Sequence, residues 1–275
     1  MSVQNFIPTV WSAKLNESLK KSLVFGNVVN SDYQGDVKFG NTVKINTIGA
    51  ITIGDYDKST GTGDPQELNS SQTTLLIDQQ KFFNFKVEDI DKAQSNVGLL
   101  SGAMVEAGFG LADEADQYIA NFYTEVVAGN TIGSDATPVV PTKDNAYDYL
   151  VDLGVKLSEA NAPKSDRFVV VPEFYYGLLQ KDARFTKDPA VLATGYIGNV
   201  NGMTVYTSNN VANTAGAKYK IMAGHKSAIS FASQIDSVEA YRPEKSFSDA
   251  MKGLQVYGAK VIKPSALAVL TVNKA

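Results

Sequence analysis

Two-residue alternation marks the first readable elements of the chain. Val43, Ile45 and Thr47 alternate with Thr42, Lys44 and Asn46, and Ile51 to Ile53 continue after Gly49, the pattern of a strand. Gly54 to Gln72 then holds almost no apolar residue except Tyr56 and Leu68; Gly, Ser, Thr, Asp and Pro dominate it. From Thr73 alternation returns, with Leu75, Ile77, Phe83, Phe85 and Val87 all on one parity. The pattern predicts two long strands joined by a polar tip of 19 residues. A structureless loop of that length is uncommon inside a compact domain, and a two-stranded ribbon is marginal alone in water. Either the tip is disordered, or the ribbon projects and a neighbouring subunit stabilises it. The apolar surface on the flanking strands favours projection.

The period then changes. Leu100, Met104, Leu111, Ala115, Tyr118, Phe122 and Val126 recur every three to four residues, which predicts one long helix over Ser95–Ala128 with Gly129-Asn130 as its stop. Gly102, Gly108 and Gly110 predict a kink or a close approach in its first half. Asp113, Glu114, Asp116 and Glu125 decorate the other side, as a solvated or intersubunit face rather than paired catalytic carboxylates. After a joint at Pro138 to Pro141 the texture becomes α/β. A helix is predicted over Asn145–Asn161, a buried strand over Arg167–Val171, and a helix opened by Pro172 over Glu173–Lys181. Tyr196–Val200 and Met203–Thr207 flank Asn201-Gly202, a strong hairpin signal. Lys220–Ala223 and Ser237–Tyr241 read as further strands. Leu254 to Ile262 alternates, Pro264 breaks the run, and Ala266–Val272 resumes it.

Before the ribbon lies an arm, residues 1 to about 30. Ile7, Trp11 and Leu15 share helical spacing, so a short amphipathic helix is predicted from Thr9 to Val24. Lys14, Lys20 and Lys21 outnumber Glu17. The only tryptophan of the chain is here, and Phe6 and Trp11 are disfavoured in water, so both are expected to dock on another surface.

Composition changes the picture mainly by exclusion. The 275 residues, 44% hydrophobic and 20% charged, suit a packed globular protein. With no Cys and a single His, Cys nucleophiles, disulfides and Cys/His zinc sites are excluded. No basic-then-apolar leader opens the chain and no apolar run approaches a bilayer span, so a soluble, cytoplasmically made chain with no membrane contact is expected. Net charge is −4, so nearby DNA would be confined rather than gripped through its phosphates. Gly224-His225-Lys226-Ser227 lacks the earlier glycine of a phosphate loop. Asp55-Tyr56-Asp57-Lys58-Ser59 resembles the start of a calcium loop, but its Gly falls one place late and Gln66 stands where a bidentate Glu belongs. No cofactor, metal or catalytic residue is assigned.

The order of parts, an arm, a projecting ribbon, a long helix, an α/β region and a returning sheet, resembles the major capsid proteins of tailed phages. Herpesvirus capsid floors and bacterial encapsulins share that fold. Local sequence carries the likeness too: Phe168 to Tyr175 is similar to the family's strand-then-helix step. Gly195 to Gly198 with Asn201 to Asn209 resembles its hairpin, Asp249 to Val269 its closing strands, and Asp36 to Val43 its early segment. The resemblance implies an α+β capsid fold with an N-terminal arm at 1–29 and an extended β-hairpin loop at 47–83. It places a peripheral domain with a spine helix at 30–46, 84–137 and 243–275, and an axial domain at 138–242.

The resemblance also implies a function. The chain would be a non-enzymatic coat protein that self-assembles through pentamers and hexamers into an icosahedral shell in the virion, built in the host cytoplasm around double-stranded DNA. Its partners would be copies of itself, a portal protein, a separate scaffolding protein and, in some phages, a decoration protein. The alternative is an encapsulin-like compartment around cargo protein. Phe6, Trp11, Tyr56, Lys58, Pro65 and Leu68 are the candidate intersubunit contacts. Some relatives cross-link a ribbon lysine; no acceptor for Lys58 is identifiable, and an exposed loop lysine is the simpler reading.

Overall fold

The computed structural model describes residues 15, 23–32, 42–48, 51, 53, 56, 58, 70–88, 98–186, 197–244 and 248–274. The end of the arm forms a single turn, α1 (Phe25–Val28). Strand β1 (Thr42–Ile48) pairs antiparallel with β2 (Ser70–Leu76), from Thr42 opposite Leu76 to Ile48 opposite Ser70. These two strands form the ribbon. Of the predicted arm helix, only Leu15, helical and fully buried, and Leu23–Val24 fall within the described residues.

The single apolar parity after Thr73 serves two strands rather than one. The strand breaks after Leu76, and β3 (Gln79–Glu88) joins a different sheet, antiparallel to β11 (Ser248–Val261), which pairs in turn with β10 (Ile229–Tyr241). Gly258 on β11 makes the crossing possible. A Cβ there would lie 2.0 Å from the carbonyl oxygen of Leu76. Leu75 and Ile77 therefore enter a small core with Val43, Ile45 and Ala232, backed by Val256 and Ile262. Phe83 and Phe85, on the same parity, turn to the main core on the opposite face of the three-stranded sheet.

Helix α2 (Gly98–Ala120) covers that opposite face. It ends eight residues before the predicted limit. Asn121–Glu125 tightens into a 3-10 turn, because Asn, Phe, Tyr and Thr are weak helix formers and Phe122 packs edge-on against Tyr118 at 5.3 Å. The expected Gly129-Asn130 stop has another role. Asn130 is buried, and its side-chain amide donates to the carbonyls of Ser265 and Leu267 at 2.9 Å each. The glycines do not interrupt α2 either, and Gly102 and Gly110 face open space.

A seven-stranded mixed sheet holds the α/β region. Its strands are β4 (Thr131–Ile132), β5 (Arg167–Val171), β6 (Asn199–Val200), β7 (Met203–Thr207), β8 (Asn213–Thr214), β9 (Lys218–His225) and β12 (Leu267–Asn273), in the order β4-β12-β9-β5-β7-β6 with β8 beside β9. Helices α3 (Ala146–Glu159), α4 (Glu173–Gln180) and α5 (Ala183–Thr186) accompany it. Strand β5 is buried throughout, including Arg167. Its guanidinium donates to the carbonyls of Pro163, Ala162 and Gly154 and to Ser158 Oγ, so the charge is satisfied without a carboxylate. Asn201 and Gly202 both have positive φ, 49° and 76°, as a two-residue hairpin requires. Sheet membership crosses the sequence boundary near 243. Strand β10 leaves the α/β stretch to pair with β11, and β12 returns to lie beside β9.

Candidate assembly surfaces

Two faces of the three-stranded sheet meet different fates. The inner face is sealed by α2, where Tyr257 packs against Tyr118 and Phe231. On the outer face, the ribbon base covers Ala232 and Val256. Farther along, the same face is bare. Phe82 is 77% exposed, beside a hollow of about 300 Å³ between Asn84, Glu239, Lys252 and Leu254. Sequence reading missed Phe82. The signal was present in Phe82-Phe83: adjacent large residues on a strand point to opposite faces, so one of them must leave the core.

The ribbon is the second bare surface. Leu76 is exposed, and beyond the paired strands Ile51, Ile53 and Tyr56 are exposed too, Ile53 at 94%. Lys58 is also exposed. Of the candidate contacts, Tyr56 and Lys58 thus stand on the surface, whereas Phe6, Trp11, Pro65 and Leu68 lie outside the described residues. Asp55, Asp57 and Ser59 of the calcium-like segment lie outside them as well, and among the described residues no cluster of three or more His, Asp or Glu is placed to hold a metal ion.

The acidic side of α2 divides into three different environments. Glu114 forms an ion pair with Lys81 of β3 at 2.6 Å, on the surface. Asp113 accepts from Asn210 at 2.7 Å, which links α2 to the α/β region. Asp116 departs from the expected solvated face: it is buried and accepts from the backbone N–H groups of Val24 at 2.6 Å and Gly26 at 3.1 Å. It pins the end of the arm to the long helix. Burial pushes its pKa up to about 6, and the bonds from Val24, Gly26 and Phe25 only partly offset that.

Two further ionisable groups are structural. His225 Nδ1 accepts from the Ser227 backbone N–H at 3.2 Å and lies 2.8 Å from Ser227 Oγ, capping a turn. Burial holds its pKa below the usual histidine value. Gly224 and His225 end β9, and no phosphate cradle forms there. Lys220, buried on β9, reaches Asp135 at 2.6 Å and ties the 131–137 segment to the sheet. Among the described residues no helix is long and apolar enough to cross a membrane.

Comparison with known proteins is consistent in one direction. A family model described as phage capsid protein matches residues 72–270. A solved chain from Mycobacterium phage Che8 is 33% identical, with 90% of each chain covered and a TM-score of 0.74. The capsid structure of the cyanophage P-SCSP1u is 15% identical, covers 92% of this chain and 89% of its own, and gives 0.70. A virus-like particle from Pyrococcus furiosus is 14% identical over 94% of this chain and 96% of its own, at 0.59. No curated protein sequence matches.

Proposed function

Because the chain belongs to the phage capsid protein family, we propose that it is the major shell subunit of a tailed phage, self-assembling through pentamers and hexamers into an icosahedral container for double-stranded DNA. Its role is structural rather than enzymatic, and its place is the capsid of the virion. The observation that carries the mechanism is the ribbon, whose side chains Ile51, Ile53 and Tyr56 stay in water in a single subunit. Apolar area of this kind stabilises an interface at about 25 cal/mol per Å² once covered. A ribbon on one copy that meets a different patch on the next is a heterologous contact, and rotation of such contacts closes rings. Many such contacts then act together.

In this reading the peripheral part is built around α2 and the three-stranded sheet, the axial part around the seven-stranded sheet, and the arm and ribbon lap over neighbours. Assembly proceeds in the host cytoplasm with a scaffolding and a portal protein, and a decoration protein is a further candidate partner. A cargo compartment of the encapsulin kind is the competing reading, supported by the fold shared with the Pyrococcus particle. The 33% identity to a phage chain favours the genome container. Deleting 49–69 and closing the gap tests the mechanism: shells should vanish from electron micrographs while the melting transition of the subunit persists. Truncated chains that still build intact particles would overturn it. Micrographs of wild-type particles separate the two contents, since DNA with a unique portal vertex marks a phage.

A further inference from the structure

The chain as a whole carries a net charge of −4, yet one end of the seven-stranded sheet reverses that sign. Strand β9 runs antiparallel to both β5 and β12, with His225 opposite Arg167 and Gly224 opposite Leu267. The loop after β9 and the loops before β5 and β12 therefore meet at one end, about 10 Å across at about 4.8 Å per strand. Each of the three carries a lysine closely followed by a serine: Lys164-Ser165, Lys226-Ser227 and Lys263-Pro264-Ser265. All three lysines are exposed. Among the described residues none of them forms an ion pair, unlike Lys81, Lys220, Lys252 and Lys260. Asp166 is the one carboxylate in the three loops.

The loops are held to one another and to the fold. The Lys226 N–H donates to the carbonyl of Asp166 at 3.2 Å, and the Lys263 N–H to that of Ala228 at 3.1 Å. The Pro163 carbonyl accepts from buried Arg167 at 2.7 Å, and the Ser265 carbonyl from Asn130 at 2.9 Å. The backbone is thus fixed before any partner arrives, and only the lysine side chains remain to be ordered.

What such a face can hold follows from what it lacks. A stable protein interface centres on apolar or aromatic anchors and is depleted in lysine. The apolar residues of these loops are two exposed prolines, Pro163 and Pro264, and buried Ala228. Large exposed apolar side chains such as Ile53, Phe82 and Phe109 stand on the ribbon, the outer sheet face and α2 instead. Ammonium groups beside hydroxyls are the donor set that meets the phosphate oxygens of a nucleic-acid backbone without reading its sequence.

Resting on the genome-container reading above, we propose that this end of the seven-stranded sheet faces the packaged double-stranded DNA and meets its phosphodiester backbone through Lys164, Lys226 and Lys263. Three neutralised phosphates make a weak, salt-sensitive contact in one subunit, which the many copies of a shell repeat along its wall. The contact also orients the subunit, with the β5, β9 and β12 loops pointing inward.

The test is lysine acylation of intact particles, DNA-filled and emptied, with a small N-hydroxysuccinimide ester read by mass spectrometry. Lys164, Lys226 and Lys263 should react several-fold more slowly in filled particles than in emptied ones. Lys143 and Lys181, exposed elsewhere in the α/β region, should react alike in both. Fast reaction of the three in both particles would leave them untouched by DNA, and slow reaction in both would place a neighbouring subunit over them; either overturns the proposal. Protection shared equally by Lys143 and Lys181 would mean crowding rather than contact and overturns it as well. Unassembled subunits and a duplex of about 20 base pairs give a second measure: Lys164→Gln/Lys226→Gln/Lys263→Gln should flatten the log–log salt slope of binding by about 2.7, at about 0.9 per phosphate. An unchanged slope would count against the contact. Wild-type particles filled with protein instead of DNA would overturn the genome reading itself, a failure distinct from all of these.

Discussion

Replacing Gly258 by alanine places a methyl carbon 2.0 Å from the carbonyl oxygen of Leu76 and 2.9 Å from the Cα of Ile77, both backbone atoms. Because the contacting atoms are backbone, no side chain can swing aside to relieve them. The Leu76–Ile77 step must therefore retreat from β11 by about 1 Å or more before the contact reaches an ordinary separation. Strands in a pair lie about 4.8 Å apart, so a retreat of that size at one strand tilts the ribbon by roughly 12°. Seven paired residues extend about 23 Å, which carries the far end of the pairing off course by about 5 Å. An interface of side chains packed at interior density does not absorb such a shift. Subunit stability should fall by only about 1–3 kcal/mol, the usual cost of overpacking, because the main core lies on the other face of the sheet. The expected result is a folded subunit that fails to form closed shells, read by thermal melting and by electron microscopy. Gly253→Ala is the matched control. Its Cβ would approach the ring of Phe83 at 2.4 Å, a side chain that can rotate away, so shells should still form. Normal shells from Gly258→Ala, or loss of shells from Gly253→Ala with an unchanged melt, would refute the idea that the crossing sets the ribbon's aim.

Two further outcomes follow from buried polar groups. Asp116, raised from 3.8 to about 6, holds a proton in the folded state that the unfolded chain has already released between those values. Its contribution is thus fully present below about pH 3.8 and is lost as pH rises through about 6, a swing of about 3 kcal/mol; the melting point of wild type relative to Asp116→Asn should therefore fall as pH rises along that window, and a difference that is flat or rises with pH would contradict the assignment. Arg167→Met removes the donor shared by the carbonyls of Pro163, Ala162 and Gly154 and by Ser158 inside the α/β region. Unfolding in urea should show a loss of about 2–4 kcal/mol, and a change within 0.5 kcal/mol would mean that water already serves those groups.

The main elements of the α/β region were legible because each has a local cause; the short β4, β8 and α5 and the first half of β10 carried no such signal. Asn201-Gly202 names its own turn, and Pro172 opens α4 where a missing N–H is harmless. What alternation cannot reveal is a change of partner. Leu75, Ile77, Phe83 and Phe85 keep one parity through the break after Leu76, because both strands present the same parity to apolar surroundings, one to the small core and the other to the main core. Only Gly258, 182 residues downstream of Leu76, records that the chain crosses there. Asp116 was misplaced for a related reason: among the acids of α2 only its distance from Val24 and Gly26 distinguishes it, and that distance spans about 90 residues of sequence.

These failures share a physical basis that bears on assembly. A residue whose role is met inside one element obeys the periodicity of that element, so periodicity finds it. Gly258 answers to a crossing strand and Asp116 to the end of the arm. Phe82, Ile53 and Phe109 answer to no contact in their own subunit that would cover them. The first two fix where the ribbon and arm leave the body; the other three expose apolar surface on the ribbon, the outer sheet face and α2. In the proposed shell that area is removed from water, so substitutions at them should spare folding and shift the concentration at which shells appear.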